Sequence, residues 1–110
     1  MPRKSATKRT PEEIRREKEA LYADIERGLL TLGQASRRMR KIAGLTQTEY
    51  AEKILKIYPR VLMELERDRG NPTLDTLKKV AKPFGLQVGF VVKISHLKPP
   101  VAKGDDSGEA

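Results

Sequence analysis

Residues 45–72 read LTQTEYAEKILKIYPRVLMELERDRGNP, and this stretch decides the fold because it holds two helix starts on either side of one tight turn. Thr46 and Glu49 form a T-x-x-E capping box, in which a hydroxyl and a carboxylate satisfy N–H groups that no helical carbonyl can reach. Leu45 before the cap and Tyr50 at the fourth helical position are spaced for a hydrophobic staple. Beyond a turn at Leu55 and Lys56, Pro59 suits the first turn of a second helix, where its missing N–H costs nothing. Ile57 and Leu62 repeat the staple spacing there. Helices this short are not stable alone, so both must lean on neighbours.

The second of these helices has two unlike faces. Val61, Leu62 and Leu65 fall together, while Pro59, Arg60, Met63, Glu64 and Arg67 occupy the opposite side. A guanidinium near the start, a carboxylate one turn later and a second guanidinium at the end suit a helix lying in a DNA major groove. Arginine grips guanine edges bidentately there, and glutamate accepts from cytosine. A merely solvated helix face carries the same residue types, so the weight falls on the surrounding pattern.

That pattern is a single small domain with tails, for the chain has 110 residues and no internal repeat. A net charge of +8 favours a polyanionic partner, though acidic membranes attract such charge as well. No apolar run reaches the roughly 18 residues of a membrane span, and no signal peptide opens the chain, so no membrane partner is expected. The absence of cysteine excludes disulfides and thiolate chemistry, and the single His96 cannot build a histidine metal cluster. With no phosphate-cradling glycine loop and no acid–base constellation around His96, neither an enzyme nor a cofactor is expected.

Residues 1–10 carry four basic side chains and no acid, the composition of a disordered arm that either follows phosphates or simply solubilises. Residues 11–30 form a helical extension capped by Thr10, with Pro11 at its first position and Gly28 as its stop. Its stripe of Ile14, Leu21 and Ile25 braces the domain or a partner subunit. A further helix starts at Thr31 and stops at Gly44, with Leu32, Ala35, Met39 and Ile42 inward and Arg37, Arg38 and Lys41 outward. Ser36 lies near the inward face, where a small side chain would permit close packing. Thr73 caps the last helix, whose Leu74, Leu77, Val80, Ala81 and Phe84 complete the core.

The run TLGQASRRMRKIAGLTQTEYAEKIL, a short turn and then PRVLMELERDRGNPTLDTLKKVAKPFGL resemble the helix-turn-helix family of phage repressors and XRE-type regulators. The resemblance implies a mainly α, lambda-repressor-like bundle of four or five helices over residues 31–85, bound as a two-fold dimer to a palindromic double-stranded DNA operator. It implies a cytoplasmic protein of a bacterium, phage or plasmid. It places Gln47 at a phosphate from the start of the second helix, and Pro59, Arg60 and Glu64, with Met63 on the same face, toward base edges. Arg67 and Arg69 match positions near neighbouring phosphates, and Arg40 and Glu66 match a buried ion pair. The turn departs from the family by about one residue, with Leu55 and Lys56 where a single glycine is usual. Tyr58 stands where a capping serine or threonine is common.

Residues 86–95 alternate cleanly, with Leu86, Val88, Phe90, Val92 and Ile94 on one face. This pattern predicts a β-strand, and a lone strand needs a partner from another molecule, most economically a second copy across a dimer axis. Phe90 at its middle is expected to be the most buried member. A helix-turn-helix domain followed by a dimerising strand resembles the HipB-like antitoxins, which repress their own operon and bind a HipA-like toxin. A repressor without a toxin partner fits the same residues equally. Residues 96–110, ending in GDDSGEA, read as a flexible tail.

Overall fold

The computed structural model describes residues 9–92. Five α-helices follow one another: α1 Pro11–Glu26, α2 Leu32–Ala43, α3 Gln47–Glu49, α4 Pro59–Glu66 and α5 Leu74–Ala81. Helix α3 continues as a π-helix, Tyr50–Leu55, and α5 ends in a 3₁₀ turn, Lys82–Phe84. Four of the starts are capped by threonine hydroxyls, from Thr10, Thr31, Thr46 and Thr73, each accepting a hydrogen bond from the backbone N–H three residues on. Each such cap is worth about 1 kcal/mol against alanine.

Helix ends obey an equally local rule. Gly28, Gly44 and Gly85 close α1, α2 and the 3₁₀ turn in the left-handed region, where a side chain would be strained. Two other ends use side-chain-bearing residues instead. Lys56 (φ 60°) ends the π-helix, and Asp68 (φ 56°) follows α4. After α4, Arg69 N–H donates to Glu64 O at 2.8 Å and Asp68 N–H to Leu65 O at 2.9 Å, which is the Schellman pattern. The π-helix has wider i→i+5 turns than an α-helix, and its last turn closes with Lys56 N–H donating to Ala51 O.

A single core joins the helices. Leu21 of α1, Met39 and Ile42 of α2, Tyr50, Ala51 and Leu55 of the π-helix, Leu62 and Leu65 of α4, Val80 of α5 and Phe84 form one buried cluster. Ser36 is 1% exposed among them, in the inward-facing place its size suits. Helix α1 is bound into this core rather than appended to it. Tyr22 donates its hydroxyl to Phe84 O at 2.9 Å, and Arg38 of α2 pairs with Asp24 at 2.6 Å. Arg38 is therefore half-buried rather than free in solvent as the sequence suggested. Arg9, expected within the basic arm, is anchored, and residues 1–8 lie outside the described residues. Its guanidinium donates to Glu17 and to the Lys41 and Ile42 carbonyls, capping the open end of α2.

Three expectations fail. Leu32 and Leu74 are 57% and 58% exposed, because each is the first residue of its helix and projects past the end of the core. The C-terminal β-strand is absent, and no β-strand occurs among the described residues. The reason is pairing: strand geometry is fixed by a hydrogen-bonded neighbour, and the described residues supply none. Residues 86–92 instead leave the 3₁₀ turn, with Leu86 N–H bonded to Ala81 O and its side chain half-buried on the core. Val88, Val91 and Val92 are exposed, and Phe90, expected to be the most buried, is fully exposed. Ile94 lies outside the described residues.

Candidate nucleic-acid interface

Helix α4 is held from one side only. Leu62 is 0% exposed and Leu65 3%, so the core fixes the rotation of the helix about its axis. That rotation turns Arg60, Met63 and Glu64 to solvent. The Arg60 Nε and Glu64 Oε2 atoms lie 4.0 Å apart on side chains that are 85% and 51% exposed. A pair this solvated adds little stability, so its chemistry remains available to a ligand. Met63 adds a soft apolar surface on the same exposed face. Pro59, in contrast, is half-buried and turned toward a cleft of about 510 Å³ that it shares with Tyr58, Val61 and Lys79 of α5. It belongs to the edge of the exposed face, and having no N–H it cannot donate a hydrogen bond to a base or phosphate.

The backbone of Tyr58 is extended and its side chain makes no capping bond, so the first turn of α4 points outward without a side-chain lid. Arg67 and Arg69 follow in the loop after α4, both exposed. That loop is fixed by Asp68. One carboxylate oxygen accepts from Gly33 N–H at 2.9 Å and the other from the Thr31 hydroxyl at 2.8 Å, so the end of α4 is anchored to the start of α2. Gly33 permits this approach, since a Cβ there would lie 2.5 Å from Leu65 O. Asp68 and Gly33 were not singled out from the sequence. The available signals were an aspartate directly after a helix, a residue type that tolerates left-handed geometry, and a glycine in the first turn of another.

Behind α4 a polar network ties three helices together. Arg40 Nε donates to Glu66 Oε2 at 2.8 Å and Arg40 Nη2 to Glu66 Oε1 at 3.1 Å, a bidentate pair, while Arg40 Nη1 caps Leu45 O at 3.0 Å. The side chains are 14% and 4% exposed. Gln47 Nε2 also donates to Glu66 Oε1, at 2.9 Å. The structure thus gives Gln47 a protein partner, which leaves one amide hydrogen for any phosphate at the start of α3.

Tyr50 sits beside this network with its hydroxyl buried and unpaired among the described residues. Burial, and secondarily the Glu66 carboxylate, push its pKa up to about 12. A raised folded-state pKa means that the native state resists losing this proton. The neutral phenol thus contributes fully below pH 10, and its contribution is lost as pH rises from 10 toward 12. Tyr50→Phe removes an unsatisfied hydroxyl, so the variant is expected to be at least as stable as the parent at pH 7. It should also lack the parent's alkaline loss of about 2–3 kcal/mol. Urea unfolding of both proteins at several pH values checks this, and parallel pH profiles would count against it.

Among the described residues no cluster of three His, Cys, Asp or Glu side chains is arranged to hold a metal ion, and no helix is long and apolar enough to cross a membrane. The sequence model of the family described as "Helix-turn-helix" matches residues 37–91, the span from the middle of α2 to the exposed apolar segment. An "Immunity repressor protein" of Bacillus phage phi105 is 43% identical over 63 residues, covering 57% of this chain and 43% of the relative. The chain thus spans less than half the length of the curated relative it matches. No solved structure matches.

Proposed function

The chain belongs to the helix-turn-helix family, a DNA-binding and non-catalytic fold, and from that premise we propose that it is a sequence-specific transcriptional repressor acting on double-stranded DNA. The observation that carries the reading is the one-sided seat of α4. Leu62 and Leu65 lock it to the core, and Arg60, Met63 and Glu64 stand out together as a donor, a soft apolar group and an acceptor. A major groove offers the complements: guanine O6 and N7, the thymine methyl, and the amino group of cytosine or adenine. In this reading Arg67, Arg69 and the free hydrogen of Gln47 meet phosphates, and Pro59 borders the groove without specifying a base. The relative from phage phi105, named an immunity repressor, supports repression rather than activation. The compartment is then the bacterial cytoplasm.

We further propose that it acts as a homodimer on a palindromic operator. The support is the apolar surface at Val88, Phe90, Val91 and Val92, which a monomer leaves in water; the association is assigned to these side chains and not to strand pairing. Selection from a random duplex pool tests both parts. One dyad-symmetric site with half-sites about one DNA turn apart should be enriched. Failure to enrich any sequence would remove the repressor reading, and a single asymmetric half-site would remove the dimer. The antitoxin alternative draws on the HipB-like resemblance and requires a toxin encoded nearby. Growth arrest by the neighbouring reading frame, relieved by this protein, would favour it.

A further inference from the structure

We propose that Gly70 is a positioning residue for base recognition, acting through Glu64. The inference rests on α4 being the base-reading helix and identifies what sets the direction of its acceptor. Gly70 lies in the loop after α4 with φ +79°, and a Cβ built on it would sit 2.7 Å from Glu64 Oε1 and 3.5 Å from Glu64 Cβ. The Glu64 side chain therefore lies across the bare α-carbon of Gly70, on ground that any other residue would occupy. On its other side, the carboxylate faces Arg60 Nε at 4.0 Å.

Four hydrogen bonds hold the glycine in that place. Arg69 N–H and Asp68 N–H close the end of α4 on Glu64 O and Leu65 O, and the Asp68 carboxylate fastens the turn to Gly33 and Thr31. The loop is consequently a fixed wall against which a flexible side chain can rest. An exposed glutamate otherwise samples several rotamers, and ordering it on binding costs affinity. With Gly70 behind it and Arg60 in front, the carboxylate is restricted before DNA arrives. It is presented as an acceptor next to a guanidinium donor, so that the two read base edges as a pair. A side chain at position 70 would push the carboxylate off the wall and toward Arg60, tightening the solvated 4.0 Å pair into a closer one that competes with base contacts.

The test is a double-mutant cycle read as base discrimination. Wild type, Glu64→Ala, Gly70→Ala and the double variant are titrated against duplexes carrying each of the four base pairs at every position of the selected half-site. Glu64→Ala should lower discrimination at one position by about tenfold or more. Gly70→Ala should lower it at that same position to a similar degree, and should have no further effect on discrimination when Glu64 is already alanine. Because alanine at φ +79° is also strained, Gly70→Asn is measured beside it. Asparagine tolerates left-handed geometry yet carries the same intruding Cβ, so it should show the same loss of discrimination with less loss of thermal stability. A Gly70 effect that persists in the Glu64→Ala background would overturn the proposal, as would unchanged discrimination in folded Gly70 variants. If Glu64→Ala itself alters no base preference, the base-reading role of Glu64 falls and the proposal falls with it, a result distinguishable from the other two.

Discussion

Arg40→Ala is expected to destabilise the domain by about 3–5 kcal/mol, a large share of the 5–15 kcal/mol available to a typical small domain. The loss comes less from the ion pair itself than from what it would leave behind. Glu66 is 4% exposed and would keep only the Gln47 amide as a hydrogen-bond partner, so a carboxylate would remain desolvated and uncompensated. The Leu45 carbonyl would lose its guanidinium cap in the same change. Arg40→Lys should recover only part of the stability, because one ammonium cannot make the bidentate bond to Glu66 and also reach Leu45 O. Replacing both partners, as Arg40→Met with Glu66→Leu, should recover most of it by removing the orphaned charge. Urea midpoints at pH 7 measure all three. A loss below about 1 kcal/mol for Arg40→Ala would mean that the pair behaves as a solvated surface bridge.

Gly33→Ala should cost about 3 kcal/mol, near the upper end for an overpacked site. The sign is the informative part. Glycine to alanine inside an ordinary helix gains about 0.5–1 kcal/mol, and here the helix propensity pulls in that direction too. Against it stands a new Cβ 2.5 Å from Leu65 O and 2.9 Å from the Asp68 carboxylate. The nearer obstacle is backbone and cannot rotate away, so α2 and α4 would have to separate. That movement would lengthen the Gly33–Asp68 bond and loosen the loop carrying Arg67 and Arg69. Affinity for all DNA sequences should therefore fall along with stability. A neutral or stabilised Gly33→Ala would show that the two helices are farther apart in solution.

Local chemistry was legible in the sequence. The threonine caps at Thr10, Thr31, Thr46 and Thr73 and the glycine stops at Gly28 and Gly44 need only neighbours a few residues away, and the structure shows each of them. The Arg60 and Glu64 face followed from helical periodicity. Contacts between distant residues were not legible from the residues themselves; the Arg40–Glu66 pair, 26 positions apart, came only through the family resemblance. The Asp68–Gly33 bond spans 35 positions, and nothing in either neighbourhood names the other. Periodicity also overreached at Leu32 and Leu74, since it reports the face of a helix and not where the helix outruns its neighbours. The alternation over residues 86–95 reported an amphipathic pattern, but a strand is a relation between two segments and the described residues hold no second one. The π-helix lay beyond periodicity as well.

If α4 reads bases while the loop after it holds phosphates, Arg60→Ala and Arg69→Ala should fail in different ways. Affinities for the selected site and for random duplex are taken across a range of salt. Arg60→Ala should lose about 1–3 kcal/mol on the selected site, relax preference at one base pair and leave random-sequence binding nearly unchanged. Arg69→Ala should weaken both duplexes alike and flatten the salt dependence by about one phosphate contact. Equal losses on selected and random DNA for Arg60→Ala would contradict a base-reading α4 and place the helix on the phosphate backbone instead.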